Sequence, residues 1–364
     1  MFGGFYRGKS VLVTGHTGFK GSWLALWLHE LGAKVTGFAL SPNTEPSHFG
    51  LIGLKTLVRH IEGDIRDLNA IERAFELAKP DLVFHLAAQA LVRDSYDDPK
   101  TTFDTNIGGT VNVLEAIRHC PTVKAVVIVT SDKCYENKEW VWGYREDDRM
   151  GGHDPYSASK GATEIVCSAY RRSFFDKEGR GPHPGVATAR AGNVIGGGDW
   201  AKDRIIPDCI RALSKGEPII VRNPNATRPW QHVLDPLSGY LHLAVRLWEN
   251  PEILSGGWNF GPRTSDQITV RALAERFIAS WGRGAIHVPN SDKKAPHEAH
   301  LLQLSIEKAA LKLQWHPVLD SASSIDWTVD WYKFWHEHNR NLEKLSVRQI
   351  RDFHKRVVKN GHFS

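Results

Sequence analysis

The sequence predicts an α/β protein in which a doubly wound parallel sheet is joined to a smaller C-terminal lobe. Three observations predict it. Apolar, β-branched runs alternate with helix-length amphipathic segments through the first half of the chain. A glycine-spaced turn joins the first of these runs directly to a helix. After Ala189 the texture changes to Gly- and Pro-rich loops between shorter helices. Strands that alternate with helices need crossover connections, and crossovers make parallel sheet.

Taken in order, residues 10–14, 34–39, 82–86, 123–130 and 186–189 are the expected strands, and a third strand is expected to end near Asp64. The second half reads as loops at 192–200, 223–229 and 256–264 around helices at 207–215 and 270–281. The expected organisation is a dinucleotide-binding domain over residues 1–190, a mainly substrate-binding lobe over 191–340 with some return to the first lobe, and a basic helical tail over 341–364. No repeat or low-complexity tract separates them.

Composition narrows the class of partner. The 364 residues are 41% hydrophobic and 24% charged, enough to bury a large core. No apolar run approaches the roughly 18 to 20 residues of a membrane span, and the start of the chain lacks a charged segment followed by an apolar one, so a cytoplasmic protein with no membrane partner is expected. Cys120, Cys134, Cys167 and Cys209 are scattered without a disulfide or metal spacing. The net charge of +5 belongs to the tail, where seven Lys/Arg from Arg340 onward face only Glu343 and Asp352. Leu342, Leu345, Ile350 and Phe353 make that tail a docked helix with a solvated basic side, which argues against a nucleic-acid partner.

The turn Thr14-Gly15-His16-Thr17-Gly18-Phe19-Lys20-Gly21 is spaced GxxGxxG. Gly15 permits a tight turn, Gly18 lets backbone approach a pyrophosphate, and Gly21 lets the helix pack on the strand, while the helix N-terminus supplies N–H donors. Thr17, Phe19 and Lys20 complete the candidate cradle, and Lys20 either approaches a 2′-phosphate or faces solvent. The second strand ends Phe38-Ala39-Leu40-Ser41 with neither acid nor arginine, so this position leaves NAD against NADP open. Asp64, followed by Ile65, either accepts from an adenine amine or caps the next helix.

Tyr156 and Lys160 stand four apart, on one face of a helix that Asp154-Pro155 initiates. An ammonium beside a phenol favours the phenolate, which predicts a base working near neutral pH. Leu86, Ala87, Ala88 and Gln89 follow the fourth strand, and Thr130, Ser131, Asp132 and Lys133 follow the fifth. All sit at strand C-termini, where open parallel sheets bind ligands. Asn106 either holds backbone or water nearby or caps a helix. Two histidines flank the carboxylate in His297-Glu298-Ala299-His300, but the spacing is not that of a zinc helix, and no metal is expected.

The ordered motifs TGxTGFKG, GDIRD, LAAQ, TNxxGT, TSDK and YSASK resemble the extended short-chain dehydrogenases/reductases, and among them the nucleoside-diphosphosugar dehydratases, over roughly residues 8–317. Where the dTDP-glucose dehydratases read Thr-Asp-Glu, this chain reads Ser131-Asp132-Lys133. That departure, the segment Ala87-Ala88-Gln89-Ala90-Leu91-Val92-Arg93, the Gly-rich loop 192–200 and Pro296-His297-Glu298-Ala299 resemble the CDP-glucose 4,6-dehydratases. The resemblance implies a Rossmann sheet, NAD as cofactor, a nucleotide-sugar substrate and a homodimer or homotetramer. It implies a lyase that makes a 4-keto-6-deoxy sugar for O-antigen assembly, with Ser131, Asp132, Lys133, Tyr156 and Lys160 catalytic and Asp132 as the acid. It leaves the C5 base open among Lys133, Tyr156 and water. Asn193, Arg204, Arg228, Gln231, His297 and Glu298 are the implied substrate contacts, the two arginines having the fixed charge and donor fork a diphosphate needs.

Overall fold

The computed structural model describes residues 2–175, 183–289 and 301–359. Its centre is a parallel sheet of seven strands: β1 (Ser10–Thr14), β2 (Lys34–Ala39), β3 (Arg59–Glu62), β4 (Leu82–His85), β5 (Ala125–Val129), β6 (Gly185–Ala191) and a seventh, Gly256–Phe260. The order is seventh-β6-β5-β4-β1-β2-β3, so the winding reverses between β1 and β4. This doubly wound sheet is the expected fold, and the reversal opens a crevice at the C-terminal ends of β1 and β4.

One expectation is corrected. Residues 256–264, read as loop, begin with the seventh strand, which pairs in parallel register with β6 from Gly256 against Ala187 to Phe260 against Ala191. Two glycines hid it. Gly257 is required there because a Cβ would lie 2.3 Å from the Arg190 guanidinium. The second half of the chain thus returns to complete the sheet.

Period-two alternation divides each strand between two cores. Val11 and Val13 face one side with Val127 and Val129, while Leu12 faces the other with Val126 and Ile128. On the first side lie α1 (Phe19–Glu30), helix Leu234–Glu249 and the last two helices, Ser321–His338 and Leu342–Lys359. The other side carries Leu68–Ala78, Gly109–Arg118 and the tyrosine-bearing helix Pro155–Tyr170.

The helix α1 is buried almost all round from Gly21 to Leu28, more than an amphipathic helix requires. The reason is the tail. Helix Leu342–Lys359 lays Leu345, Ile350 and Phe353 against it, with the Phe353 ring edge-on to Trp27 at 5.7 Å, and leaves its basic side to solvent. No helix among the described residues is long and apolar enough to cross a membrane.

The core also holds polar rings. His48 bridges Ser22 and Ser346, and His85 joins Thr14 on β1 to Thr110. Burial pushes His48, His85 and His232 each down to about 3, from 6.5 when free. Below pH 6.5 the unfolded chain therefore binds three protons that the folded chain refuses. Each histidine should remove about 1.4 kcal/mol of stability per pH unit below that point. Urea denaturation at pH 7 and pH 5 is expected to show this loss, and equal midpoints would place these rings outside the acid sensitivity of the fold.

Candidate active site

The glycine turn is built as its spacing predicts. Gly15 has φ +75°, and a Cβ there would lie 2.6 Å from the backbone N of Ala87, so β1 and β4 approach at this point through bare backbone. A Cβ on Gly21 would meet the Gly15 carbonyl at 2.0 Å. Gly18 stands at the N-terminus of α1, which has no side-chain cap and no acid in its first turn. Such an end offers unclaimed N–H donors and positive dipole to an anion, so the cradle fits the pyrophosphate of a dinucleotide. Thr17 closes the turn by donating to the Leu40 carbonyl at 2.8 Å.

Beyond the cradle, Asp64 accepts from the Arg66 backbone and side chain at 2.6–2.9 Å. Capping belongs to Asp67, which accepts from Ala70, so the capping alternative for Asp64 is excluded. Ile65 is buried against Gly109. Leu86 and Ala87 bond back to Thr14, extending the line of β4 past the crevice beside Ala88. Asn106 is no cap. It accepts from the Gln89 N–H at 2.8 Å and donates to the Gln89 carbonyl and to Ser159 Oγ. Asn106 lies in a π-turn, Asp104–Gly108, that carries this buried amide into the crevice wall. The Gln89 side chain is spent locally, on both backbone groups of Leu91.

Asp154 caps the tyrosine-bearing helix, accepting from Ser157, with Pro155 in the first turn. Tyr156 and Lys160 are 8% and 5% exposed, with the ammonium 6.0 Å from the tyrosine ring centre. Ser131 donates to Asp132 Oδ1 at 2.9 Å, and its contact with Tyr156 favours the phenolate. Lys133 follows in the same short turn and donates its N–H to Ser131.

The electrostatics correct the sequence reading of this pair. Burial pushes Tyr156 up to about 12, with the charges of Asp132 and Asp154 adding to the rise and Ser131 and Arg204 opposing it. Burial pulls Lys160 down to about 8. By itself the protein does not supply a neutral-pH phenolate, because desolvation outweighs Ser131 and Arg204. Asp132 is held up by the same burial, against Lys133, Ser131 and Lys20, which favours a proton on an acid.

The Lys20 ammonium does not stand in open solvent, one of its two expected placements. It lies 5.9 Å over the Tyr240 ring, within electrostatic reach of Lys160, Arg204 and Asp132. Burial, then those two cations, bring it down to about 7.

Beneath the pair lies a buried network that sequence reasoning missed. Glu164, one turn beyond Lys160, takes the Arg190 guanidinium in a fork at 2.8 and 2.9 Å and accepts from Thr130 at 2.5 Å and Thr188 at 2.6 Å. Arg190 continues to the Tyr135 hydroxyl, and Tyr135 donates to Asn259 of the seventh strand. The spacing of Glu164 from Lys160 was the available signal, whereas Arg190, Tyr135 and Asn259 are brought in only by the sheet.

From the second lobe, Arg204 pairs with Asp199 at 3.0 Å and acts electrostatically on Tyr156, so it stands at the catalytic end of the crevice. Arg228 donates to the Thr227 carbonyl on a two-residue strand, Thr227–Arg228, paired with Ile268–Thr269. Gln231 is buried, its N–H bonded to the Asn193 carbonyl and its amide to Phe260 at the end of the seventh strand. Asn193 is half-buried beside it. A cleft lined by Gly192, Pro229, Gly261, Arg263 and Gln303 opens next to these residues, and Gly192 abuts the Asp132 carboxylate. His297 and Glu298 lie outside the described residues. Among the described residues no group of three or more His, Cys, Asp or Glu is placed to hold a metal ion.

Comparison with known proteins bears on this geometry. The model of the NAD dependent epimerase/dehydratase family matches residues 11–254. A CDP-glucose 4,6-dehydratase of Salmonella typhimurium is 49% identical over 350 residues, covering 96% of this chain and 97% of that protein. A dTDP-glucose 4,6-dehydratase of Streptomyces antibioticus is 28% identical, covering 89% and 92%. Among solved structures, the UDP-glucose 4-epimerase of Thermus thermophilus in complex with NAD superposes with a TM-score of 0.74 at 26% identity, covering 89% of this chain and 98% of that one.

The crossing at Gly15 gives a direct test of the cradle. Gly15→Ala forces a Cβ into the Ala87 backbone at a φ that alanine resists. NAD binding, followed by calorimetry, is expected to weaken at least about tenfold while circular dichroism stays near wild type. Unchanged affinity would remove this turn from the cofactor site.

Proposed function

The chain belongs to the NAD-dependent epimerase/dehydratase family, and on that premise we propose that it converts CDP-D-glucose to CDP-4-dehydro-6-deoxy-D-glucose and water. The observation that carries the dehydratase reading is Asp132, a buried carboxyl held up by desolvation at the edge of the crevice shared with Tyr156 and Lys160. A 4-epimerase needs no acid at that position. A dehydratase must protonate a leaving hydroxyl.

Bound NAD supplies a hydride acceptor for C4 and, later, a hydride donor for C6. The residues of the chain handle the protons and the geometry. Tyr156 takes the proton of the C4 hydroxyl, with Ser131 orienting that hydroxyl and Lys160 favouring the phenolate. Asp132 delivers its proton to the departing C6 hydroxyl. Lys133, Tyr156 or a water takes the C5 proton and returns a proton to C5 when hydride reaches C6. Arg228, Asn193 and Gln231 hold the nucleotide diphosphate portion, and Arg204, which pairs with Asp199, works nearer the sugar.

The expected homodimer or homotetramer would bury Tyr96, Phe103 and Ile165. These side chains are 50%, 36% and 62% exposed, on helices Val92–Asp97, Pro99–Phe103 and Pro155–Tyr170, which pack on one another. Ile165→Asp is then expected to move the sedimentation coefficient toward that of a monomer.

Substrate labelled with deuterium at C4 tests the reaction. The product is expected to carry that deuterium at C6 and to weigh one water less, without stoichiometric reduced cofactor in solution. Deuterium in free reduced cofactor, or an intact C6 hydroxyl, would return the chain to an epimerase or net oxidoreductase. Among CDP-, dTDP-, UDP- and GDP-glucose, CDP-glucose is expected to turn over fastest. Tyr156→Phe should lower turnover by about 10² or more.

A further inference from the structure

Tyr156, Lys160 and Glu164 recur at four-residue intervals and share one face of their helix. The Glu164 carboxylate is buried and ionised. Its ordinary value is pushed down by Arg190 and by the hydroxyls of Thr130 and Thr188, in spite of the desolvation that opposes them. All four of those hydrogen bonds arrive from the strands, from the end of β5 and from β6. Lys160 meets the same charge from the preceding turn of the helix.

The groups around Lys160 are few. Its own helix presents Tyr156, Glu164 and Cys167, and the turn after β5 presents Cys134. Lys20 reaches it from α1, and His85 from the end of β4. Asp132 acts on Lys20. Of the groups that hold a charge on Lys160, Glu164 contributes most, and burial works against it.

We propose that Glu164 is a positioning residue for the reaction, the counter-ion that keeps Lys160 charged while its bond to Thr130 fixes Ser131 and Asp132 against the tyrosine-bearing helix. Arg190 fixes Glu164 in turn. Its fork orients the carboxylate, and its charge keeps that carboxylate ionised. The two halves of the catalytic constellation, one on a helix and one at a strand end, are thereby set by a single side chain that touches no reacting atom. Only the identity of the reaction rests on the dehydratase reading, since the charge of Lys160 is measurable without turnover.

The experiment uses the full chain labelled with ¹³C/¹⁵N-lysine, free of cofactor, with the Lys160 signal identified by its loss in Lys160→Arg. The wild-type signal is expected to titrate near about 8. In Glu164→Gln the midpoint should fall by about one pH unit or more. Arg190→Lys keeps the charge and loses the fork, so it should lower the melting temperature and leave the Lys160 midpoint in place. If Glu164→Gln does not fold, the neutral pair Glu164→Gln/Arg190→Met serves, with the same fall expected. In turnover, the alkaline limb of kcat should move to lower pH in Glu164→Gln with KM little changed. An unmoved Lys160 midpoint in the neutral variants, or an equal fall in Arg190→Lys, overturns the proposal. A moved midpoint with no CDP-glucose turnover in wild type leaves Glu164 in its role and overturns the dehydratase reading instead.

Discussion

The buried ion pair between Glu164 and Arg190 is the interaction on which the rest of the site depends. Two charges removed from water cost several kcal/mol each, and they are tolerated only when every remaining donor and acceptor is matched. Here the carboxylate receives a bidentate guanidinium and two hydroxyls, and the guanidinium extends to Tyr135 and to the Glu146 carbonyl. The partners come from several elements. The tyrosine-bearing helix, the ends of β5 and β6, the loop after β5 and, through Asn259, the seventh strand are held in one geometry because moving any member leaves a buried polar group or charge unpaired.

The seventh strand follows from the same constraint. Its glycines look like loop, yet Gly257 is the residue that lets the strand lie beside the Arg190 side chain, and Asn259 carries the chain of bonds from Tyr135 on to the Tyr144 and Ser305 carbonyls. The strand also carries Phe260, whose carbonyl takes the amide of Gln231 and ties the second lobe to the sheet at the crevice.

Desolvation sets the character of the crevice. It raises Tyr156 and Asp132 and lowers Lys160 and Lys20, so each of these four groups is moved toward its neutral form. A carboxyl biased toward its proton suits an acid. A phenol biased toward its proton does not suit a base until further positive charge or hydrogen bonding arrives, and family membership supplies a cofactor whose oxidised ring is a cation. The protein's own cations, at Arg204 and Lys160, are placed to share in that task.

Elements with a local cause could be read along the chain. Alternation marked the first strands and a parallel, doubly wound sheet, three glycines marked the turn under α1, and four-residue spacing put Tyr156 and Lys160 on one helical face that Asp154 caps. Motif order added the family and the reaction. The tertiary structure decided what depends on neighbours distant in the chain. It turned Gly256–Phe260 into sheet, because pairing with β6 outweighs a weak local preference. It aimed Lys20 into the catalytic pocket and gave the capping of the helix Leu68–Ala78 to Asp67. It also reversed the expected titration of Tyr156, since burial is a property of the whole fold and no spacing along one helix reports it.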